Sequence, residues 1–166
     1  MAAFRLAFVL LLVVVAVLTI ISPVSARDSL GVFSDWGAFR DAETPRCYAI
    51  VKPSSRRETA AFASVGTWPR RNVRGQMHFR LSQAVRARTD IRLTIGNRRF
   101  TLTGSGNNAW ARDRQGDAAI VAAMRSGGRM TVSATNRQGR RFSDRYPLAG
   151  AATAMDAATV ACARRR

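Results

Sequence analysis

Short segments of alternating apolar and polar side chains constrain the fold of this chain more than any other feature of its sequence. In the segment 76–81, Met77, Phe79 and Leu81 would share one face, and polar residues would occupy the other. A period of two over such a segment predicts a β-strand with one buried and one solvated face. The same pattern predicts strands at 91–95, 99–103, 130–134 and 141–146, and further strands are predicted at 32–39, 46–51 and 61–68.

Turn-forming residues separate the predicted strands. Gly96 and Asn97 form a two-residue loop with glycine first, which suits a type II′ hairpin turn. The residues Asn-Arg-Gln-Gly at 136–139 predict a second turn. Short strands joined by such turns predict a mainly β fold, an antiparallel sandwich of two sheets in a single domain.

Two segments have the spacing of helices rather than strands. In 117–127, Asp117 can cap a helix and Gly127 suits a left-handed helix end. In 151–163 the three-four spacing of small and apolar residues would direct Cys162 toward the core. We therefore expect one or two short helices beside the sandwich.

The N-terminus predicts export. Arg5 precedes an apolar stretch of 16 residues, Leu6 to Ile21, which is short for the ~20 residues of a membrane-spanning helix. The small residues of Val24-Ser25-Ala26 follow, as in a signal peptide. The prediction is a signal peptide at 1–26 and a single periplasmic or secreted domain at 27–166, which meets the membrane through the signal segment before cleavage. The alternative is an uncleaved inner-membrane anchor.

The chain has two cysteines, Cys47 and Cys162. Two cysteines in an exported domain predict one disulfide, and two buried free thiols are the alternative. The bond would close a loop of more than a hundred residues, worth about 4–5 kcal/mol in the chain-entropy description.

Basic residues greatly outnumber acidic ones. The chain has 27 Lys+Arg and 10 Asp+Glu; without residues 1–26, which hold Arg5 and no acid, its charge is 26 − 10 = +16. Such a surface attracts polyanions in a salt-dependent way. The expected partner is an anionic glycolipid, a glycan or an envelope protein. No specific nucleic acid is expected, because genomic DNA lies in another compartment.

Arginine doublets are the candidate binding residues. They occur at 56–57, 70–71, 98–99 and 140–141. Because Arg98, Arg99, Arg140 and Arg141 lie close to predicted hairpin turns, these four are predicted to form one polyanion-binding patch. The alternative is a scattered, solvated set of charges.

The sequence lacks the residue combinations that are typical of a catalytic or metal site. One histidine and two cysteines cannot form a four-ligand zinc site, and no phosphate-binding glycine motif is present. His78 falls on the outer face of its strand, and Trp36, Trp68 and Trp110 suit either core packing or a stacking platform. We expect no catalytic residues, no metal and no cofactor. An unrecognised periplasmic enzyme or enzyme inhibitor is the alternative.

Several segments, in order along the chain, resemble the invasion-associated locus B family. They are Phe33-Ser34-Asp35-Trp36, Arg46 to Val51, Ala118 to Gly127, and Leu148 to Met155. The resemblance implies an exported immunoglobulin-like β-sandwich of alphaproteobacterial type, linked in some pathogens to host-cell entry. It implies a non-enzymatic binding or structural protein of the bacterial envelope or surface. The family often has a cysteine where Phe39 and Arg40 stand, and a later cysteine pair that this chain lacks.

Export yields the first testable prediction, which is cleavage after Ala26. Mass spectrometry of the protein from fractionated cells should find a chain that begins at Arg27 outside the cytoplasm. Recovery of peptides from residues 1–26 in the membrane fraction would instead establish the uncleaved anchor.

Overall fold

The structure, a computed structural model, describes residues 27–41, 43–55 and 59–163. The predicted signal segment 1–26 and the doublet at 56–57 lie outside these residues. The strands are β1 (Asp28–Phe33), β2 (Trp36–Asp41), β3 (Arg46–Val51), β4 (Phe62–Trp68), β5 (Val73–Arg80), β6 (Ile91–Ile95), β7 (Arg98–Ser105), β8 (Asn108–Ala111), β9 (Arg129–Thr135) and β10 (Arg141–Pro147). The helices are α1 (Arg114–Met124) and α2 (Ala151–Ala163), and Pro69–Arg71 is a 3-10 turn. No helix within the described ranges has the length and apolarity to cross a membrane.

These ten strands form one continuous sheet in which all neighbouring strands are antiparallel, in the order β1-β2-β3-β4-β5-β8-β7-β6-β9-β10. The mainly β, antiparallel class with two short helices is therefore confirmed. Gly96 has a φ of +57° in the two-residue loop, as a type II′ turn requires.

The sheet folds back so that its last strand faces its first half. The Trp36 indole Nε1 donates a hydrogen bond to the carbonyl of Pro147 at 2.9 Å, and the Phe79 and Tyr146 rings lie 5.9 Å apart. At the edge of β10, the Ser54 amide donates to the carbonyl of Arg145 at 2.7 Å. The two layers of the sandwich are thus two halves of one sheet, with the apolar core between them.

Two elements differ from the sequence prediction. The strand predicted at 32–39 is a hairpin, because Ser34 adopts a φ of +52° and reverses the chain between β1 and β2. Strand β8 was not predicted, because a strand of only four residues shows too little alternation. It nevertheless pairs with both β5 and β7 and joins the two halves of the sheet.

Helix α1 begins earlier than predicted. Its N-cap is Asp113, whose side chain accepts the Gly116 amide at 2.7 Å, whereas Asp117 is buried and accepts the Met77 amide at 2.8 Å. Burial raises the pKa of the Asp117 carboxyl. Asp117 therefore joins α1 to β5 and accepts a hydrogen bond from an amide that lies just beyond the β5–β8 pairing. Gly127 is not a left-handed stop, but a Cβ there would lie 2.7 Å from Ile95 Cγ2, so it allows close packing.

Helix α2 packs across β1 to β4 and carries Cys162 onto the sheet. The predicted disulfide between Cys47 and Cys162 is present, with the two Cα atoms 5.8 Å apart. Cys47 is 1% exposed and opposes Thr67 on β4. The bond fixes the C-terminal helix over the opening half of the sheet.

Removing this disulfide should lower the free energy of unfolding by about 2–5 kcal/mol. The change is the double variant Cys47→Ala/Cys162→Ala, measured by urea denaturation. Reduction of the wild-type protein breaks the bond but keeps both cysteine side chains, so it controls for packing lost in the alanine variant. Reduction should reproduce most of the decrease in the free energy of unfolding. Thiol labelling of the unreduced, denatured protein should find neither cysteine, and quantitative labelling of both would show that the bond is absent.

Gly150 lies where the chain leaves β10 and enters α2. Its φ is +82°, and a Cβ on this residue would overlap the carbonyl oxygen of Phe33. Gly96 has a similar φ of +57°, but a Cβ there would meet nothing within 4 Å. Comparing alanine substitutions at the two glycines therefore separates the cost of backbone strain from the cost of a steric clash.

Gly150→Ala should destabilise the protein by about 3 kcal/mol or more, because the β1–β2 turn must move in addition to the strain at positive φ. Gly96→Ala should cost only the backbone strain, about 1–2 kcal/mol. Both are measured by urea denaturation. Equal losses in the two variants would contradict the close approach of Gly150 to Phe33.

Candidate functional site

The strand register separates the four arginines that were predicted to form one patch. Through β7, β6, β9 and β10, Arg98 lies level with Tyr146 near the end of β10. Arg140 and Arg141 lie at the beginning of β10, about 17 Å away along the strand direction. Along the strand direction the register therefore separates Arg98 from Arg140 and Arg141, whereas Arg99 lies level with Arg145 but three strands away. An alternation of period two predicts which face of a sheet a side chain occupies, but it does not predict which residues of other strands lie level with it.

Arg140 and Arg141 instead line a polar groove of about 630 Å³ beside the outer edge of β10, the edge opposite β9. Its other arginine is Arg145, which lies on the same side of the strand as Arg141 because the two are four residues apart. Several hydroxyl groups also line the groove: Ser54, Ser55, Thr59, Ser82 and Ser143.

Asn136 builds the turn that carries Arg140. It is 2% exposed, and its Oδ1 accepts the amides of Gln138 at 3.1 Å and Arg140 at 2.8 Å. Its Nδ2 donates to Gln83 Oε1 at 2.6 Å. A local asparagine turn of this kind fixes the backbone on both sides of the loop. The buried amide therefore fixes the position from which the Arg140 side chain projects.

Asp144 joins the groove wall to β10. Its carboxylate accepts the Ser82 amide at 2.8 Å and the Ser82 hydroxyl, and the residue is 5% exposed. It is the one acidic residue among the described residues that line the groove. Asp144 lies on the buried side of β10, opposite Arg141 and Arg145, and forms no ion pair with either of them.

Among the described residues, the arginines of the groove have no acidic partner. The ion pairs between described residues involve Arg40, Arg46, Arg92 and Arg125. Arg140, Arg141 and Arg145 are exposed and take part in none of them. Unpaired guanidinium groups beside hydroxyl donors can bind phosphate, sulfate or carboxylate oxygens, in part bidentately. The groove is therefore chemically suited to an anion.

The three tryptophans divide between the core and the outer face of the sheet. Trp36 is fully buried, whereas Trp68 and Trp110 are half-buried on the opposite face. The Trp68 benzene ring fills the space above Gly66, and Trp110 stacks on His78 with ring centroids 5.3 Å apart. The rings of Trp68 and Trp110 therefore pack against neighbouring residues of the sheet.

His78 lies on the outer face, as its alternation predicted. Its Nε2 is 3.0 Å from Asn108 Oδ1, and its ring also contacts Phe62 edge-on at 5.4 Å. The imidazole is thus held by an amide rather than by a serine or an acid. Within the part of the chain that the structure describes, no three His, Cys, Asp or Glu side chains gather in an arrangement that could hold a metal ion.

Comparison with solved structures shows the same fold in another protein. The crystal structure of invasion associated protein B from Bartonella henselae matches with a TM-score of 0.61 and 13% sequence identity. The match covers 82% of this chain and 98% of that chain. No curated protein sequence matches this chain.

The sequence also matches the model of one protein family. That model is described as invasion associated locus B (IalB) protein, and it aligns with residues 38–159. The aligned range runs from within β2 into α2 and so includes α1, most of α2, the groove and Cys47. The chain belongs to the invasion associated locus B family.

Proposed function

We propose that this protein is a non-enzymatic binding protein of the bacterial envelope or surface, and that it binds an anionic glycan or glycolipid in the groove beside β10. The observation that carries the proposal is a groove lined by three exposed arginines that have no ion-pair partner among the described residues. The acidic residue that lines the groove among those residues, Asp144, accepts hydrogen bonds from Ser82. A concave surface of one charge sign concentrates its field on the ligand.

The spacing of the arginines favours a polymer over a single small anion. Arg141 and Arg145 are four strand residues apart, which separates their Cα atoms by about 13 Å. Two guanidinium groups that project from separate positions along the strand can each bind a separate anionic group. A chain with several anionic groups can occupy both positions and contact the hydroxyls between them, among them Ser143.

The contacts of His78 support a role in binding rather than catalysis. A nucleophilic hydrolase needs a hydroxyl or thiol within hydrogen-bond distance of a base. The one imidazole of the chain, His78, pairs with the Asn108 amide rather than with a hydroxyl, and both cysteines are joined in the disulfide. An enzyme or enzyme inhibitor stays the alternative function, and hydrolysis of a supplied glycan by the purified protein would favour it.

Export is the second part of the proposal. The signal pattern at 1–26 and the disulfide support a periplasmic or secreted location, because stable structural disulfides are typical of oxidising compartments. Anionic glycolipids and glycans are accessible there.

The test compares two arginine doublets on neighbouring hairpins. Arg140→Gln/Arg141→Gln should weaken binding to heparin, used as a model sulfated glycan, at least about tenfold, because two charge-assisted contacts are lost. It should also lower the salt concentration that elutes the protein from a heparin column. The measurements are the dissociation constant at low salt and the elution profile.

The matched control is Arg98→Gln/Arg99→Gln, which removes the same charge from β7, three strands away from β10. It should change binding far less. If both pairs of substitutions weaken binding equally, binding is a property of net charge and the groove is not a site. No retention of the wild-type protein at low salt would also reject the proposal.

A further inference from the structure

A second groove lies at the opposite end of β4, between the two helices and the β4–β5 hairpin. Its volume is about 520 Å³, within the range of small-molecule sites. Helix α1 contributes Ala118 and Val121, and α2 contributes Thr159, Cys162 and Ala163. The polar groove beside β10 adjoins the connector that precedes β4, so the length of this strand separates the two sites.

The walls of this groove are apolar because its inner hydroxyls are already bonded. Thr67 Oγ1 accepts the Gly75 amide at 3.4 Å, and Thr159 Oγ1 donates to the Met155 carbonyl at 2.8 Å. Gly75 has a φ of +66°, and the nearest side-chain atom to a Cβ there would be Val121 Cγ2 at 3.9 Å. Because Gly75 has no side chain, open space remains between it and α1.

Arginines surround the mouth of the apolar groove. Arg74 lines it, and Arg70 and Arg71 belong to the adjoining 3-10 turn. All three are exposed, and none has an acidic partner within 4.0 Å among the described residues. Arg114 of α1 reaches the same turn and donates to the Asn72 carbonyl at 3.1 Å. An apolar interior thus opens beside a cationic rim.

We propose that this groove binds a free single-chain anionic amphiphile, such as a long-chain carboxylate. The alkyl chain lies along Val121, Ala118 and Cys162, and the anionic head contacts Arg74 at the mouth. The charge complementarity selects against a neutral lipid, and the apolar walls select against a polar glycan. This site is independent of the polyanion groove, because the two share no lining residue.

Chain length is the first test. The dissociation constant of the purified, oxidised protein is measured by calorimetry for carboxylates of 6 to 12 carbons, below the concentration at which they form micelles. Affinity should rise about fourfold per added methylene, the factor that corresponds to burial of one CH₂, until the groove is filled. Affinity that does not depend on chain length would mean that the carboxylate binds only as a counterion, and would overturn the proposal.

A pair of tryptophan substitutions on α1 is the second test. Ala118 lines the groove, and Ala122 lies one turn later on the same helix, exposed and outside it. Ala118→Trp should fill the groove and weaken dodecanoate binding at least tenfold, whereas Ala122→Trp should leave it unchanged. Circular dichroism and thiol labelling establish that both variants are folded and oxidised. Equal effects of the two variants would overturn the proposal.

A third comparison concerns the head group. Arg74→Gln should weaken dodecanoate binding several-fold and leave binding of the uncharged alcohol dodecanol unchanged, and an equal loss for both ligands would contradict the role of Arg74. Heparin binding separates this proposal from the one above. Ala118→Trp should not alter heparin retention, and Arg140→Gln/Arg141→Gln should not alter dodecanoate affinity. Either proposal can therefore fail while the other stands.

Discussion

A single antiparallel sheet of ten strands has one apolar face that it must bury against itself. The contact that closes it joins the first half of the sheet to β10, where the buried Trp36 indole donates to the Pro147 carbonyl and Tyr146 packs on Phe79. Leaving a buried indole N–H unpaired costs about 1–3 kcal/mol, so this contact favours one way of folding the sheet back. Helix α2 begins four residues after Pro147, and its path over β1 to β4 follows from this closure.

The local elements were predictable, because each strand depends on its own alternation. The bounds predicted for 46–51 and 91–95 agree with β3 and β6, and the Gly96 turn has the expected conformation. The order of the strands was not predictable. Strand β8 inserts between β5 and β7, and β6 pairs with β9 rather than with β5, through contacts between residues distant in sequence. Ser34 shows the same limit locally, since nothing in its side chain specifies a positive φ.

The candidate site was predictable in its chemistry but not in its location. The excess of arginine indicated an anionic ligand, and the register of β6, β9 and β10 then separated Arg98 from Arg141. The segment 141–146 did contain the missing information, because alternation places Arg141 and Arg145 on one side and Asp144 on the other. No sequence pattern of this kind indicated the apolar groove. Its walls come from α1, α2 and a hairpin, and it owes its space to small residues such as Gly75 and Ala118.

Small residues also explain why α2 can form one wall of a groove and anchor the fold at the same time. The buried face of α2 consists largely of alanine, at 151, 154 and 158, so the helix can approach the sheet closely. That approach brings Cys162 within bonding distance of Cys47. At the other side of the groove, Arg125 of α1 forms a paired hydrogen bond with Asp156 of α2, which lowers the pKa of the Asp156 carboxyl. A covalent bond to the sheet and an ion pair to α1 thus hold the wall in place, and the groove between the helices stays open without side chains large enough to fill it.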